Sequence, residues 1–144
     1  MTIVAWDGTT LAADTQADAS GVRASVTKIF RLTDGSLFAG SGSLDQVLEM
    51  RNWVDKGASA EDFPSTQRDK DDWQPCINIT KNGVYRYERT PFPIKFNCAY
   101  FTEGSGSYFA TAALHLGKNA VEAVQVAIDL CPSCGGSIDT LTLS

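Results

Sequence analysis

The chain reads as an α+β domain dominated by antiparallel sheet. Asp7-Gly8, Asp34-Gly35 and Asn82-Gly83 each sit between strand-like runs. Such pairs supply the positive φ angles that tight hairpin turns demand. Three other segments carry apolar residues at helical spacing between start and stop signals. The order is strands, helix, strands, two helices, strand. Two sheets stacked face to face with helices outside would bury both faces of each sheet. One sheet under a single helix layer fits the same order, so periodicity alone does not choose.

In chain order, residues 2–6 form a strand, Asp7-Gly8 turns it, and residues 10–13 return. Residues 26–32 and 36–39 repeat the pattern around Asp34-Gly35. Ser43 can cap a helix with Gln46 three residues on, a capping-box spacing. Leu44, Val47, Leu48, Arg51 and Val54 follow the helical period, and Gly57 suits the position after the last turn. Residues 58–75 are polar, carry Pro64 and Pro75, and read as a loop with at most one helical turn. Residues 77–81 and 84–87 flank Asn82-Gly83 as a third hairpin, and residues 94–101 read as a further strand. A second helix spans residues 107–116, closed by Gly117. Asn119 and Glu122 announce a third, which carries Val121, Val124 and Ile128 and must stop before Pro132. Residues 138–143 form the last strand, where Ile138, Thr140 and Thr142 alternate with Asp139, Leu141 and Leu143.

The 144 residues fit one domain, 1–144, large enough to bury a core without metal or disulfide staples. The hydrophobic fraction of 43% and charged fraction of 20% are ordinary for a globular protein. A net charge of -5 with no basic run argues against nucleic acid, whose phosphates require clustered Lys and Arg. No basic amphipathic helix suits a membrane surface, and no apolar stretch reaches spanning length. The first residues lack the basic and long apolar regions of a signal peptide. The expected compartment is the cytoplasm, where the four cysteines would be reduced. No internal repeat or low-complexity tract is present.

Four local patterns occur in the order found in the proteasome β-subunit family, especially its bacterial HslV-type branch. They are Met1-Thr2-Ile3-Val4 followed by Leu11-Ala12-Ala13-Asp14; Val26-Thr27-Lys28-Ile29-Phe30-Arg31-Leu32; Phe38-Ala39-Gly40-Ser41-Gly42; and Gly104-Ser105-Gly106-Ser107-Tyr108. Each is weak alone, but their joint order and spacing resemble the family across nearly the whole chain. The resemblance implies a four-layer αββα sandwich of two antiparallel sheets, the N-terminal-nucleophile (Ntn) hydrolase fold. It also implies threonine peptidase activity and homo-oligomeric assembly into stacked rings. The chain departs from the family over residues 57–75, where relatives carry a longer second helix.

A hydroxyl is a poor nucleophile at neutral pH and needs a base. With Met1 removed, Thr2 would carry its own, since a free α-amine titrates near pH ~8. Cytoplasmic methionine removal favours a small second residue such as Thr. Without the other patterns, Thr2 would read simply as the start of a strand. Lys28 resembles the family's catalytic lysine, whose charge favours the neutral, basic amine. Asp14 resembles the carboxylate that pairs with that lysine; the bland alternative is a surface ion pair, worth little. Gly40 matches the glycine whose N–H faces the developing oxyanion, though a turn glycine before Ser43 fits equally. Ser105 matches a serine held near the threonine amine, and it could equally cap a helix. Val26 and Phe38 match positions that line the family's specificity pocket, suggesting an apolar or small neutral residue before the scissile bond.

Archaeal and eukaryotic relatives carry Asp-x-x-Ser-Gly-Gly near the last strand. Here the stretch is Cys131-Pro132-Ser133-Cys134-Gly135-Gly136, so cysteines replace the Asp and Ser; HslV-type relatives also lack the pattern. A lone C-x-x-C lacks two ligands for zinc, and Cys76 and Cys98 fall on predicted strands. A thioredoxin-like pair would precede a helix, not the last strand. The pair therefore reads as structural or mildly redox-sensitive, and no metal or cofactor is expected. His115 is the one histidine and reads as a core-edge residue, so a Ser-His-Asp or Cys-His hydrolase lacks its base. No GxxxxGK[ST] is present, so an ATP-dependent unfoldase would have to be a separate chain acting on the same protein or peptide substrate. The rival readings are a non-catalytic ring subunit that retains Met1, an amidohydrolase of another Ntn branch, and a structural assembly protein.

Overall fold

Strands β1 (Val4–Trp6) and β2 (Thr10–Asp14) pair antiparallel across a turn in which Gly8 takes φ 97°. Asp7 closes that turn by accepting the N–H groups of Thr9 and Thr10 at 2.9 and 2.8 Å. The computed structural model describes residues 2–69, 71 and 73–143, so the expected removal of Met1 lies outside the described residues. Strand β10 (Phe101–Glu103) joins the free side of β1 and β11 (Ile138–Thr142) that of β2. A second, five-stranded sheet runs in chain order through β5 (Ile29–Arg31), β6 (Leu37–Gly40), β7 (Cys76–Thr80), β8 (Gly83–Tyr87) and β9 (Ile94–Phe96). Every pairing is antiparallel.

The pleat sorts the side chains into three cores. Val4, Trp6, Leu11 and Ala13 meet Ile29, Leu37, Ile77 and Ile79 between the sheets. Ile3, Ala5 and Ala12 point the other way, against α3 (Ser107–His115) and α4 (Ala120–Leu130). On the outer face of the second sheet, Phe38, Cys76 and Tyr87 pack under Val47, Met50 and Trp53 of α1 (Leu44–Asp55). The layers are helix, sheet, sheet, helix. This is the αββα sandwich, and it explains why β1 and β2 are apolar on both faces rather than alternating.

Several local expectations need correction. The hairpin β3 (Gln16–Ala19) and β4 (Val22–Ser25) is an addition, turned by Ser20 and Gly21 at φ 53° and 81°. Its side chains are mostly exposed, so it lacks the alternation that reveals a strand. Residues 94–101 are not one strand: β9 and β10 belong to different sheets, and the chain crosses between them. Ser43 occupies the position before α1 without a side-chain cap, whereas Asn119 and Glu122 form a complete capping box on α4. Residues 58–75 hold a 3-10 turn (Ala60–Asp62) and a short helix α2 (Ser65–Asp69). Gln67 anchors that segment by donating to the carbonyls of Gln74 and Glu88. Among the described residues, no helix is long and apolar enough to cross a membrane.

Candidate active site

The end of β2 and the residues before β1 and β5 converge at the Asp14 carboxylate. Its Oδ1 accepts the backbone N–H of Ile3 at 3.1 Å and Lys28 Nζ at 2.8 Å. Its Oδ2 accepts the N–H of Gly135 at 3.0 Å. Asp14 is fully buried and Lys28 is 5% exposed. Desolvating two charges is costly, and this pair offsets it with close approach and two further donors to the carboxylate.

Thr2 is fastened from the opposite side by the Gly104-Ser105-Gly106 turn between β10 and α3. The Thr2 nitrogen donates to Ser105 Oγ at 3.1 Å, and its carbonyl accepts the Gly106 N–H at 3.2 Å. Gly104 takes φ 110°, and a Cβ there would fall 2.2 Å from the Thr2 carbonyl oxygen. Only glycine permits both the angle and the approach. Ser105 does not cap α3; that position belongs to Gly106, and the Ser105 hydroxyl faces Thr2 instead.

Thr2, Asp14, Lys28 and Ser105 therefore form one cluster, with Ile3 linking Thr2 to Asp14. Gly40 ends β6. Ile29 pairs with Ala39, so the next step of the register sets Gly40 level with Lys28. A Cβ on Gly40 would meet the Val47 methyls at 2.8 and 2.9 Å, so packing of α1 alone accounts for a glycine there.

Residues 131–135, expected to be structural or mildly redox-sensitive, lie against the same cluster. Cys131 follows α4, and its carbonyl accepts the Cys134 N–H at 3.1 Å, closing a four-residue turn with Pro132 at its second position. Both thiols interact electrostatically with each other and with the Ser105 hydroxyl. Ser133 Oγ lies 3.3 Å from Cys131 Sγ. That hydroxyl, helped by the Ser133 N–H, Cys134 and Ser105, holds the Cys131 thiol below its ordinary value against the effect of burial. Burial, then Cys131 and the Asp14 charge, pushes Cys134 up to about 11. The available signal was their alignment with the Asp-x-x-Ser positions of relatives.

Other expectations fall away from this centre. Phe38 is fully buried in the core beneath α1, so it lines no open pocket; its neighbours on β6 take the inter-sheet face. Val26 is half-buried. His115 is exposed rather than at the core edge, with its Nδ1 3.3 Å from Tyr100 Oη. Cys98 is exposed in the crossing after β9, not on a strand, while Cys76 is buried in β7.

No protein-family model and no curated protein matches the chain. Solved structures do match. BPH of Thiobacillus denitrificans superposes with a TM-score of 0.72 at 18% identity, over 100% of this chain and 99% of that one. The same protein in complex with epoxomicin gives a TM-score of 0.71 at 18% identity, over 100% of both chains. HslV from Trypanosoma brucei gives 0.68 at 18% identity, over 100% of this chain and 99% of that one. The fold is thus that of the HslV and proteasome-type Ntn hydrolases from end to end.

Proposed function

We propose that the chain is a threonine-type endopeptidase subunit of a proteasome-like, HslV-like ring, with Thr2 as nucleophile once Met1 is removed. One observation carries this reading: the Thr2 nitrogen is held 3.1 Å from Ser105 Oγ, one residue from the buried Asp14–Lys28 pair. Freed of Met1, that nitrogen becomes an α-amine able to serve as the base for its own hydroxyl. Thr2 Oγ gives up its proton to the amine and attacks the scissile carbonyl. The oxyanion develops toward the Gly40 N–H. Collapse releases the leaving amine, which takes the proton, and leaves an ester on Thr2 that water hydrolyses.

Lys28 favours the neutral amine by its charge, and Asp14 fixes where that charge sits. Ser105 orients the amine. The scheme uses no metal or cofactor. The fold shared with HslV and with an epoxomicin-binding protein supports the reading. Assembly into a homo-oligomeric ring is supported by the same fold and by apolar side chains left on the helical face, with Tyr108 and Leu116 90% and 79% exposed. A separate unfoldase would deliver folded substrates to such a ring.

The test is an intact mass followed by labelling with a covalent threonine-directed inhibitor. A mature chain beginning at Thr2, with the adduct mapping to its first peptide, is the expected result. Retained Met1 would make the α-nitrogen an amide and move the assignment to a non-catalytic ring subunit. Native mass spectrometry should show a large oligomer; a clean monomer would remove the ring.

A further inference from the structure

The peptidase scheme leaves Cys131 and Cys134 without a task, although both touch the residue that holds Thr2. We propose that these two cysteines form a reversible disulfide that silences Thr2, with a low-molecular-weight disulfide as the oxidant. The coupling to activity rests on the reading of Thr2 as the nucleophile.

The geometry is already close to that of the bonded state. The Cys134 N–H to Cys131 carbonyl bond closes a four-residue turn, which keeps the end Cα atoms within ~7 Å. A disulfide spans ~4.4–6.8 Å between Cα atoms. The thiols are free, and each acts on the other's proton affinity. They line an open cavity of about 370 Å³ with Gln16, Arg23 and Asp129, so a small reagent can reach them from the surface. Their proton affinities differ as an exchanging pair requires: Cys131 is lowered by its hydrogen bonds, whereas burial raises Cys134. Cys131 is the attacking thiolate.

The chemistry balances as ordinary exchange. The Cys131 thiolate attacks one sulfur of RSSR, the S–S bond breaks, and RS⁻ leaves to become RSH. Cys134 loses its proton and attacks the Cys131 sulfur of the mixed disulfide, releasing a second RS⁻. Two protein thiols are oxidised, RSSR is reduced to two RSH, and excess thiol reverses both steps.

The consequence for Thr2 follows from what the pair touches. Cys134 Sγ sits 2.9 Å from the position a Gly106 Cβ would take, directly beside Ser105. Gly135, next along the chain, donates to Asp14. Drawing the sulfurs to ~2.05 Å removes the thiol partners of Ser105 and pulls the Gly135 N–H away from Asp14. Both supports of the Thr2 amine weaken together.

The experiment uses the mature full-length chain with Cys98→Ser, because exposed Cys98 would otherwise form its own adduct. After treatment with glutathione disulfide, peptide mapping should show Cys131 joined to Cys134 with the loss of two hydrogens, reversed by dithiothreitol. The rate of inhibitor labelling at Thr2 should fall about tenfold on oxidation, the scale of one charge-assisted hydrogen bond. Cys131→Ser, which lacks the attacking thiolate, should label at the same rate before and after treatment, whereas Cys134→Ser should stop at a glutathione adduct on Cys131 that the peptide map detects. A chain that forms no internal disulfide, or one that forms it and labels at an unchanged rate, overturns the proposal. A reduced chain with a free Thr2 that never labels overturns the peptidase reading and the coupling with it, while the peptide map still decides the disulfide.

Discussion

Lys28 Nζ stands 2.8 Å from Asp14 Oδ1, the same oxygen that receives the Ile3 N–H. One buried carboxylate therefore fixes both a charged side chain and the backbone next to Thr2. On the proposed reading stability and chemistry are coupled at this point, so a change at either residue is expected to register in both.

Lys28→Ala leaves the Asp14 carboxylate buried with only its two backbone donors. Removing one partner of a buried pair costs about 3 kcal/mol or more, and urea unfolding should show it. Thr2→Ala touches no charge and should leave stability nearly unchanged while abolishing cleavage of a fluorogenic peptide. If both residues serve one catalytic unit, the double variant is scarcely slower than either single one. Strictly multiplicative losses would separate Lys28 from the mechanism. Asp14→Asn places an amide NH₂ against one of three donors, so it should lose both activity and stability.

Gly104→Ala tests the turn that receives Thr2. The new methyl would meet the Thr2 carbonyl at 2.2 Å, and the φ of 110° disfavours any side chain. Backbone on both sides leaves no flexible atom to yield, so the variant should lose more than ~1 kcal/mol. Thr2 labelling should fall with it. Gly57→Ala is the control, because it shares a positive φ but would meet nothing within 4 Å; it should lose stability without touching the labelling rate.

A third prediction concerns acid. Asp7 Oδ2 accepts the Ala120 N–H at 2.9 Å, tying the β1–β2 turn to the start of α4. Partial burial opposes ionisation of Asp7, but the N–H groups of Thr10, Ala120 and Thr9 outweigh it and lower the pKa. A carboxylate with a depressed folded pKa contributes stability above its unfolded value near ~4. That contribution fades as pH falls through the folded value. Asp7→Ala should therefore be about 1 kcal/mol less stable than the parent at neutral pH, and the two melting curves should converge in acid, below the ordinary carboxylate range. A gap that persists in acid would assign the loss to packing.

The sheet, all three long helices and the Asn119 capping box were legible because each rests on local chemistry: turn dipeptides, apolar spacing, a capping pair. The layer count was not, since two stacked sheets and one covered sheet give the same local pattern; the family resemblance supplied it. The β3–β4 hairpin escaped because its side chains face solvent and leave no periodic trace. In the site, Thr2, Asp14, Lys28 and Ser105 were found by resemblance, and their contacts join elements up to 103 residues apart. Phe38 was misplaced because a register decides which face a strand residue takes, and register is not written in spacing. Cys131 and Cys134 read only as structural or mildly redox-sensitive, because their contacts with Ser105 and the Gly135 bond to Asp14 are tertiary and leave no local pattern.

Ser105 provides the sharpest test of how Thr2 is held. Its hydroxyl accepts the Thr2 nitrogen at 3.1 Å and lies 3.4 Å from the Thr2 carbonyl oxygen, so its partners are the base and the backbone of the proposed nucleophile. Ser105→Ala should cost about 1 kcal/mol of stability, the value of one hydrogen bond, and should lower kcat/KM for a peptide about tenfold or more. Loss of a structural contact alone would scale the rate equally at every pH. Loss of a partner to the amine also changes that amine's proton affinity, so the acidic limb of the pH–rate profile should move relative to the parent enzyme. The profile is best measured on the Met1-free protein under reducing conditions, where Cys131 and Cys134 stay as thiols. A uniformly slower enzyme with an unmoved limb would make Ser105 a structural support of the turn and leave the amine to other partners.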